Sequence, residues 1–344
     1  MIPSRPMNDR FLRACRGESV DCTPVWFMRQ AGRYMAEYRE LRAKYSMLEL
    51  CKTPELAVQV TLQPLRLGVD AAIVFSDILL PLEPMGVPVH FSKNDGPVLE
   101  PIRCQNDVDR LRIIDPQESL DYVLESIRIL RRELNVPLIG FAGGPFTLAS
   151  YLVEGGRTNT FVRTRRLMLA EPHIWHALME KLSEVVRRHL RAQIDAGAQA
   201  VQLFDSWIGQ LSPDDYTDSV ASHVHKILHN IEMLDVPVIH FGTGTSTLLE
   251  AMAKTGGTVL GLDWRIPLDQ GWRRIGWNRS VQGNLDPTTL FAPRHIIQQR
   301  ASAILQAAAN RNGHIFNLGH GILPETPETE VQALVDFVHQ SSQR

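Results

Sequence analysis

The chain has 344 residues, 44% hydrophobic and 22% charged, which is ordinary globular composition and enough to bury a substantial core in one large domain or two. With 36 basic against 38 acidic residues and a formal net charge of -2, it does not read as a dedicated nucleic-acid binder, so any recognition of an anion has to come from a local basic cluster. Cys15, Cys22, Cys51 and Cys104 form no CxxC pair and no zinc-type spacing, and no signal peptide or membrane span is expected; reduced packing thiols in a cytosolic setting follow.

Residues 1–7 read as a tail, after which Asn8 or Asp9 caps a short helix through Cys15 that ends at Gly17. Thr23 to Met28 is too short and too continuously apolar for an amphipathic helix, so it predicts a strand buried on both faces, with Pro24 tolerable near its start. Arg29 and Arg33 emerge where it stops, around the small loop Gln30-Ala31-Gly32. Two planar forks held close together suit a carboxylate or phosphate, since each donates two parallel hydrogen bonds; pairing with Glu37 and Glu40 on the next helix is the plainer alternative. Tyr34, Tyr38, Leu41 and Tyr45 recur at helical spacing and predict core, and Thr53-Pro54-Glu55 predicts a helix start with a capping hydroxyl.

Ala71 to Asp77 is the next buried strand and ends in the polar pair Ser76 and Asp77. Alternation from Val87 to Ile102 predicts a hairpin with its turn at Asn94-Asp95-Gly96, and a helical stretch spans about Pro116 to Leu134. Further short apolar runs follow at 136–144, 198–207, 236–244, 258–264, 280–287 and 313–321, which makes eight in all. Eight such runs separated by helical ones predict a single (β/α)8 TIM barrel over 1–344, with residues 1–22 as an N-terminal tail and helix and 87–102 as a hairpin inserted after the second strand. A doubly wound sheet is the alternative. In a barrel the C-terminal strand ends form the active face, so Arg29, Asp77, Ser206, Asp263, Asn284 and His320 converge.

Asp77 closes an otherwise apolar strand, where an ionised carboxylate is costly unless something donates to it; Arg29, Arg33 or a ligand are the candidates. His320, between Gly319 and Gly321, either faces the shared pocket or bonds a carbonyl. The glycine-rich pieces 142–145, 154–157 and 242–245 can form amide nests, yet none matches GxGxxG or a P-loop. His223, His225 and His229 share a helix without an HExxH motif and read as helix residues with no metal, and His173 and His176 read as exposed residues near a helix start at Glu171-Pro172.

The stretch Pro24-Val-Trp-Phe-Met-Arg-Gln-Ala-Gly-Arg-Tyr34 with Glu37-Tyr-Arg39, together with Phe75-Ser-Asp-Ile-Leu79, resembles the signatures of the uroporphyrinogen decarboxylase family. The resemblance continues through residues 8–13, 204–207, 261–264, 282–287 and 317–321; Ala36, where the family usually has proline, is a small departure at the start of a helix. It implies a cytoplasmic homodimeric barrel of the haem pathway that converts the four acetate side chains of uroporphyrinogen III to methyl groups, releasing carbon dioxide and giving coproporphyrinogen III without cofactor or metal. Nucleic-acid and membrane partners are not expected. By motif it implies substrate contacts at Arg29, Gln30, Ala31, Gly32, Arg33, Arg42, Asp77, Tyr151, Ser206 and His320, with Asp77, Arg29 and Arg33 carrying the catalysis.

The residue types suit that chemistry. Loss of carbon dioxide leaves an electron pair that needs a sink, and a pyrrole protonated at ring carbon is a cation able to accept it. Asp77 supplies the counter-charge and accepts from pyrrole N–H groups, while the arginines pair with acetate or propionate. An arginine that bound the departing carboxylate equally in ground and transition states would not speed the step, so its catalytic part has to be proton delivery or orientation. A zinc-dependent corrinoid or thiol methyltransferase of the same superfamily would want a cysteine soon after His240, and no cysteine follows Cys104. A non-catalytic tetrapyrrole carrier would keep the arginine loop without needing a charged Asp77.

Overall fold

The computed structural model describes residues 7–92 and 96–344. Among them nine strands form: β1 (Ala72–Ile73), β2 (Val89–Ser92), β3 (Gly96–Leu99), β4 (Leu138–Gly143), β5 (Ala200–Phe204), β6 (Val238–Phe241), β7 (Val259–Gly261), β8 (Ser280–Gln282) and β9 (His314–Ile315). Seven of them make one parallel sheet in the order β1-β4-β5-β6-β7-β8-β9, with helices between successive members. The runs are short and apolar because both faces are covered, one by the barrel interior and one by the helices.

The ends of that sheet meet on the segment predicted as the first strand. Val25 bridges Phe316 in parallel, with Phe316 N donating to Pro24 O at 2.9 Å, and on the other side Asp70 N donates to Val25 O at 2.7 Å. This closure makes an eight-stave barrel and rules out the doubly wound alternative. Where the sequence predicts a full strand over Thr23 to Met28, the structure has a single bridge, and the donors explain why. Thr23 N goes to the Ser342 hydroxyl at 2.9 Å, Val25 N goes to the Asp70 carboxylate at 2.7 Å, and Pro24 has no N–H to give.

Trp26, Met28, Ile73, Ile139, Ala200, Ile239 and Ile315 fill the barrel, and the N-terminal helix Arg10–Cys15 plugs its lower end with Phe11, Ala14 and Cys15. Through this apolar filling runs a polar relay: Trp26 Nε1 donates to Gln282 Oε1 at 2.9 Å, Gln282 Nε2 to Gln202 Oε1 at 3.1 Å, and Gln202 Nε2 to Met28 Sδ at 3.4 Å. Buried amides are thereby satisfied directly beneath Arg29. At the lower rim Asp70, almost fully buried, accepts from Asn8, Arg10, Val25 N and His339, tying both ends of the chain to the first two staves.

The hairpin of β2 and β3 is antiparallel, with Val89 opposite Leu99 and Ser92 opposite Gly96; the predicted turn residues Asn94 and Asp95 lie outside the described residues, as do residues 1–6 of the predicted tail. Several local expectations need correction. The helix expected over 116–134 is two, Pro116–Ser119 and Asp121–Glu133. Thr53 precedes the Pro54–Leu62 helix but its hydroxyl makes no cap bond; the capping box belongs to Ser46 and Glu49 one helix earlier. Of the two caps expected for the N-terminal helix, Asn8 is the one whose side chain accepts from its first turn. In the tyrosine stripe Tyr34 and Tyr38 are core while Tyr45 is exposed.

Candidate active site

The loop after the first stave turns sharply at Arg29, whose φ of 61° lies in the left-handed region. Gln30 enforces the turn. Its side chain is fully buried, accepting from Phe27 N at 3.0 Å and donating to Ala71 O at 3.0 Å, while its carbonyl accepts from the Tyr34 hydroxyl at 2.7 Å. That side-chain amide is spent internally, and the Gln30 N–H likewise donates to Phe27 O at 3.0 Å. Ala31 and Gly32 are half-buried beside it, and Arg33 is exposed.

Neither Arg29 nor Arg33 makes a side-chain hydrogen bond or ion pair among the described residues. Glu37, the expected partner in the plainer alternative, pairs with Arg66 at 3.0 Å instead. Arg29 keeps a large accessible surface, yet desolvation is the main influence pushing its pKa down, with Arg33 and Arg157 pushing the same way and Tyr151 and Asp77 opposing. A side chain that is both reachable and desolvated lines a cleft.

Asp77 follows β1 and caps its own turn, accepting from Leu79 N at 2.9 Å. It forms no ion pair among the described residues, so the salt bridge to Arg29 or Arg33 is not made. Burial pushes its pKa above the ordinary carboxylate range, against the Leu79 amide and the Arg29 charge. Tyr151, on the Pro145–Glu154 helix, stacks on Trp207 with ring centres 4.2 Å apart, and burial with Asp77 pushes its phenol up to about 12.

His320 is half-buried at the end of the last stave, and burial, aided by Arg29 and Arg265, pushes its pKa down to about 4. Its Nδ1 accepts from Gly321 N at 2.6 Å, so the neutral ring carries its hydrogen on Nε2, a donor with no protein partner among the described residues. The Ser206 hydroxyl has no partner among the described residues, while its carbonyl accepts from Thr243 Oγ1 at 2.6 Å. Arg29, Asp77, Tyr151 and His320 thus share one electrostatic neighbourhood although they come from four separate staves and helices.

Other expected members have protein partners of their own. Arg42 is exposed, gives its guanidinium to the Tyr45 carbonyl at the end of its own helix, and acts on Tyr38 together with Arg33 and on Cys51 together with Asp77. Asp263 and Asn284 lie at the upper rim but are committed: Asp263 to Arg265 at 2.6 Å and to Gly244 N, Asn284 to the carbonyls of Asp263 and Ile266 at 2.8 and 2.7 Å. The amides of Gly144, Gly155, Gly156 and Gly244 are all bonded internally, so the glycine-rich pieces are not open nests.

Asp205, next to Ser206, is a carboxyl that sequence reading passed over. It is fully buried, with no cation beside it among the described residues; one oxygen accepts from Thr147 N at 3.1 Å and Oγ1 at 2.8 Å, the other has no partner among them, and burial pushes its pKa up to about 7. The available signal was its rhyme with Ser76 and Asp77, a serine and an aspartate closing an apolar strand.

His176, expected to be exposed, is half-buried with its Nδ1 2.9 Å from His223 Nε2, and His225 and His229 stack at 5.5 Å. His240 is buried on the helix-facing side of β6, since its neighbours Ile239 and Phe241 fill the barrel. Among the described residues no group of three or more His, Cys, Asp or Glu side chains is arranged to hold a metal ion, and no helix is long and apolar enough to cross a membrane.

Residues 6–341 match the protein family described as Uroporphyrinogen decarboxylase (URO-D). The chain is 63% identical over 336 residues to the uroporphyrinogen decarboxylase of Sorangium cellulosum, covering 97% of this chain and 96% of that one. It is 57% identical to that of Carboxydothermus hydrogenoformans over 340 residues, 98% of this chain and 97% of that one. Among solved structures, a methyltransferase from Methanosarcina mazei matches with a TM-score of 0.81 at 22% identity, over 98% of this chain and 99% of the other, which is a likeness of fold.

Proposed function

The chain belongs to the uroporphyrinogen decarboxylase family, and we propose that it removes carbon dioxide from the four acetate side chains of uroporphyrinogen III, leaving methyl groups and giving coproporphyrinogen III. It is a carboxy-lyase of porphyrin biosynthesis. The observation that carries the site assignment is Asp77: a desolvated carboxylate at the cleft, with no ion pair among the described residues and with Arg29 close enough to pull on its proton.

Decarboxylation breaks the bond between the acetate methylene and its carboxylate and sends the pair into a ring that has been protonated at carbon. The methylene carbon then takes a proton and the ring carbon gives one back, so each acetate consumes one proton overall. Asp77 stabilises the ring cation and accepts from the pyrrole N–H groups, which replace the water it has lost and hold it ionised. Arg29 and Arg33 bind the carboxylate arms, and the neutral Nε2–H of His320, the Tyr151 phenol and the Ser206 hydroxyl are donors for the remaining oxygens. The backbone of Gln30, Ala31 and Gly32 lines the same loop. Arg42 supports an outer position, acting through Tyr38.

Anaerobic incubation of the purified protein with uroporphyrinogen III, then oxidation and chromatographic counting of carboxylates, tests this. Stepwise loss of the acetates supports the decarboxylase; tight binding with all carboxylates retained would make it a carrier. The family reading also supports a homodimer in the cytoplasm, which sedimentation velocity and cell fractionation test.

A further inference from the structure

The loop after the Pro145–Glu154 helix is held more tightly than a surface connection needs. Gly155 N and Gly156 N both donate to the Tyr151 carbonyl at 3.0 Å. Glu154 reaches across the loop to accept from the amide and hydroxyl of Thr164 at 2.9 and 3.0 Å. Phe161, buried and in the left-handed region at φ 53°, packs edge-on against Trp207 at 5.1 Å. The inserted hairpin braces the other side: Val98 bridges Gly156, Leu99 N donates to Gly155 O at 3.0 Å, and a Cβ on Gly156 would stand 2.7 Å from Pro97 O.

On this braced loop stands Arg157, exposed, its guanidinium without a hydrogen bond or ion pair among the described residues. Two features separate it from an ordinary solvated arginine. Its loop hangs on the carbonyl of Tyr151, which stacks on Trp207 at the cleft, and from there Arg157 and Arg33 act on Arg29 with the same sign, against Asp77. Gathering three cations around a single carboxylate costs free energy in the empty protein, and a ligand with several carboxylates recovers it. The bracing also fixes the backbone beneath the guanidinium, which lowers the ordering cost of a contact there.

We infer that Arg157 is a third carboxylate-binding guanidinium of the cleft, presented by a loop that the inserted hairpin holds in place. The inference rests on the reading of the ligand as a tetrapyrrole polycarboxylate. It gives the hairpin a purpose: a rigid side wall on which an arginine contacts an acetate or propionate arm that Arg29 and Arg33 do not hold.

The test uses the full chain as wild type, Arg157→Gln, Arg157→Lys and the charge-matched control Arg132→Gln, which alters an exposed residue on the Asp121–Glu133 helix leading to the base of β4. Binding of uroporphyrin, the fluorescent oxidised ring, is titrated at low and high salt, and turnover of uroporphyrinogen is measured alongside. Arg157→Gln is expected to weaken uroporphyrin binding and raise KM by about tenfold, to leave kcat within about twofold, and to flatten the salt dependence. Arg157→Lys restores the salt dependence with only part of the affinity, because the fork is lost, and Arg132→Gln behaves as wild type. Unchanged affinity and salt dependence in Arg157→Gln overturns the inference, as does a wild type that does not bind uroporphyrin. A wild type that binds uroporphyrin but releases no carbon dioxide, with binding weakened in Arg157→Gln, overturns the decarboxylase reading while supporting Arg157.

Discussion

The stem of Arg29 lies across Gly321, so that a Cβ on the glycine would collide with the arginine's Cδ. The guanidinium reaches the cleft over Gly321, where the His320 loop puts no side chain in its way. Gly321→Ala is therefore expected to fold, because a flexible side chain can move aside, but to displace Arg29. A fall in kcat/KM of at least about tenfold, or about 1.4 kcal/mol, with little change in Tm is the expected result. Wild-type kinetics in the alanine variant would remove Arg29 from its assigned place.

Asp77→Asn keeps the shape and removes the charge. Its kcat is expected to drop by more than about tenfold, about 1.4 kcal/mol of transition-state stabilisation. A pH profile sharpens the test. Burial raises the pKa of Asp77 above its ordinary value, so the acid limb of kcat/KM should lie above the usual range for aspartate, with activity lost as the pH falls through it. In the asparagine variant that limb should vanish; a limb that survives belongs to another group.

Arg33→Lys retains a positive charge but not the bidentate fork. As Arg33 is exposed and makes no ion pair among the described residues, its loss should not disturb the fold. Substrate use is expected to suffer, with KM raised roughly fivefold. Unaltered KM and kcat would show that the fork is not used.

Asp70→Asn addresses stability at the opposite end of the barrel. Removing that buried charge leaves His339 without its carboxylate and Arg10 with Asp21 alone, a change that costs about 3 kcal/mol when a buried pair is broken. His339 and Arg10 hold the pKa of Asp70 low against its own desolvation. For a carboxylate depressed on folding, the stabilisation is present above its unfolded value of about 3.9 and disappears as the pH falls through the folded value. Denaturant melts should show the wild-type advantage at neutral pH and its loss in acid, with kcat of the folded variant unchanged.

The barrel was legible because each stave is a short apolar run that stops in a polar or small residue, and the positions of β1 and β4 to β9 follow those runs. The first stave's pairing was not, since the fate of its N–H groups depends on Ser342 and Asp70, distant in sequence. At the site, the types and places of Asp77, Arg29 and His320 could be read from strand ends and glycines. The internal commitment of Gln30 could not, because an amide in a loop gives no sign of which way it folds. Asp205 and Arg157 were written in quoted stretches, but burial without a partner, and exposure without one, are properties of surroundings that no single stretch records.

The seam between first and last staves is fastened by contacts spanning 319 positions, from Thr23 to Ser342, and 269, from Asp70 to His339. Until the last stave, at Phe316, has left the ribosome, the emerging polypeptide can be no more than an open trough, with an apolar floor that should make it a client for holdase chaperones, and the two latches beyond it can close only later.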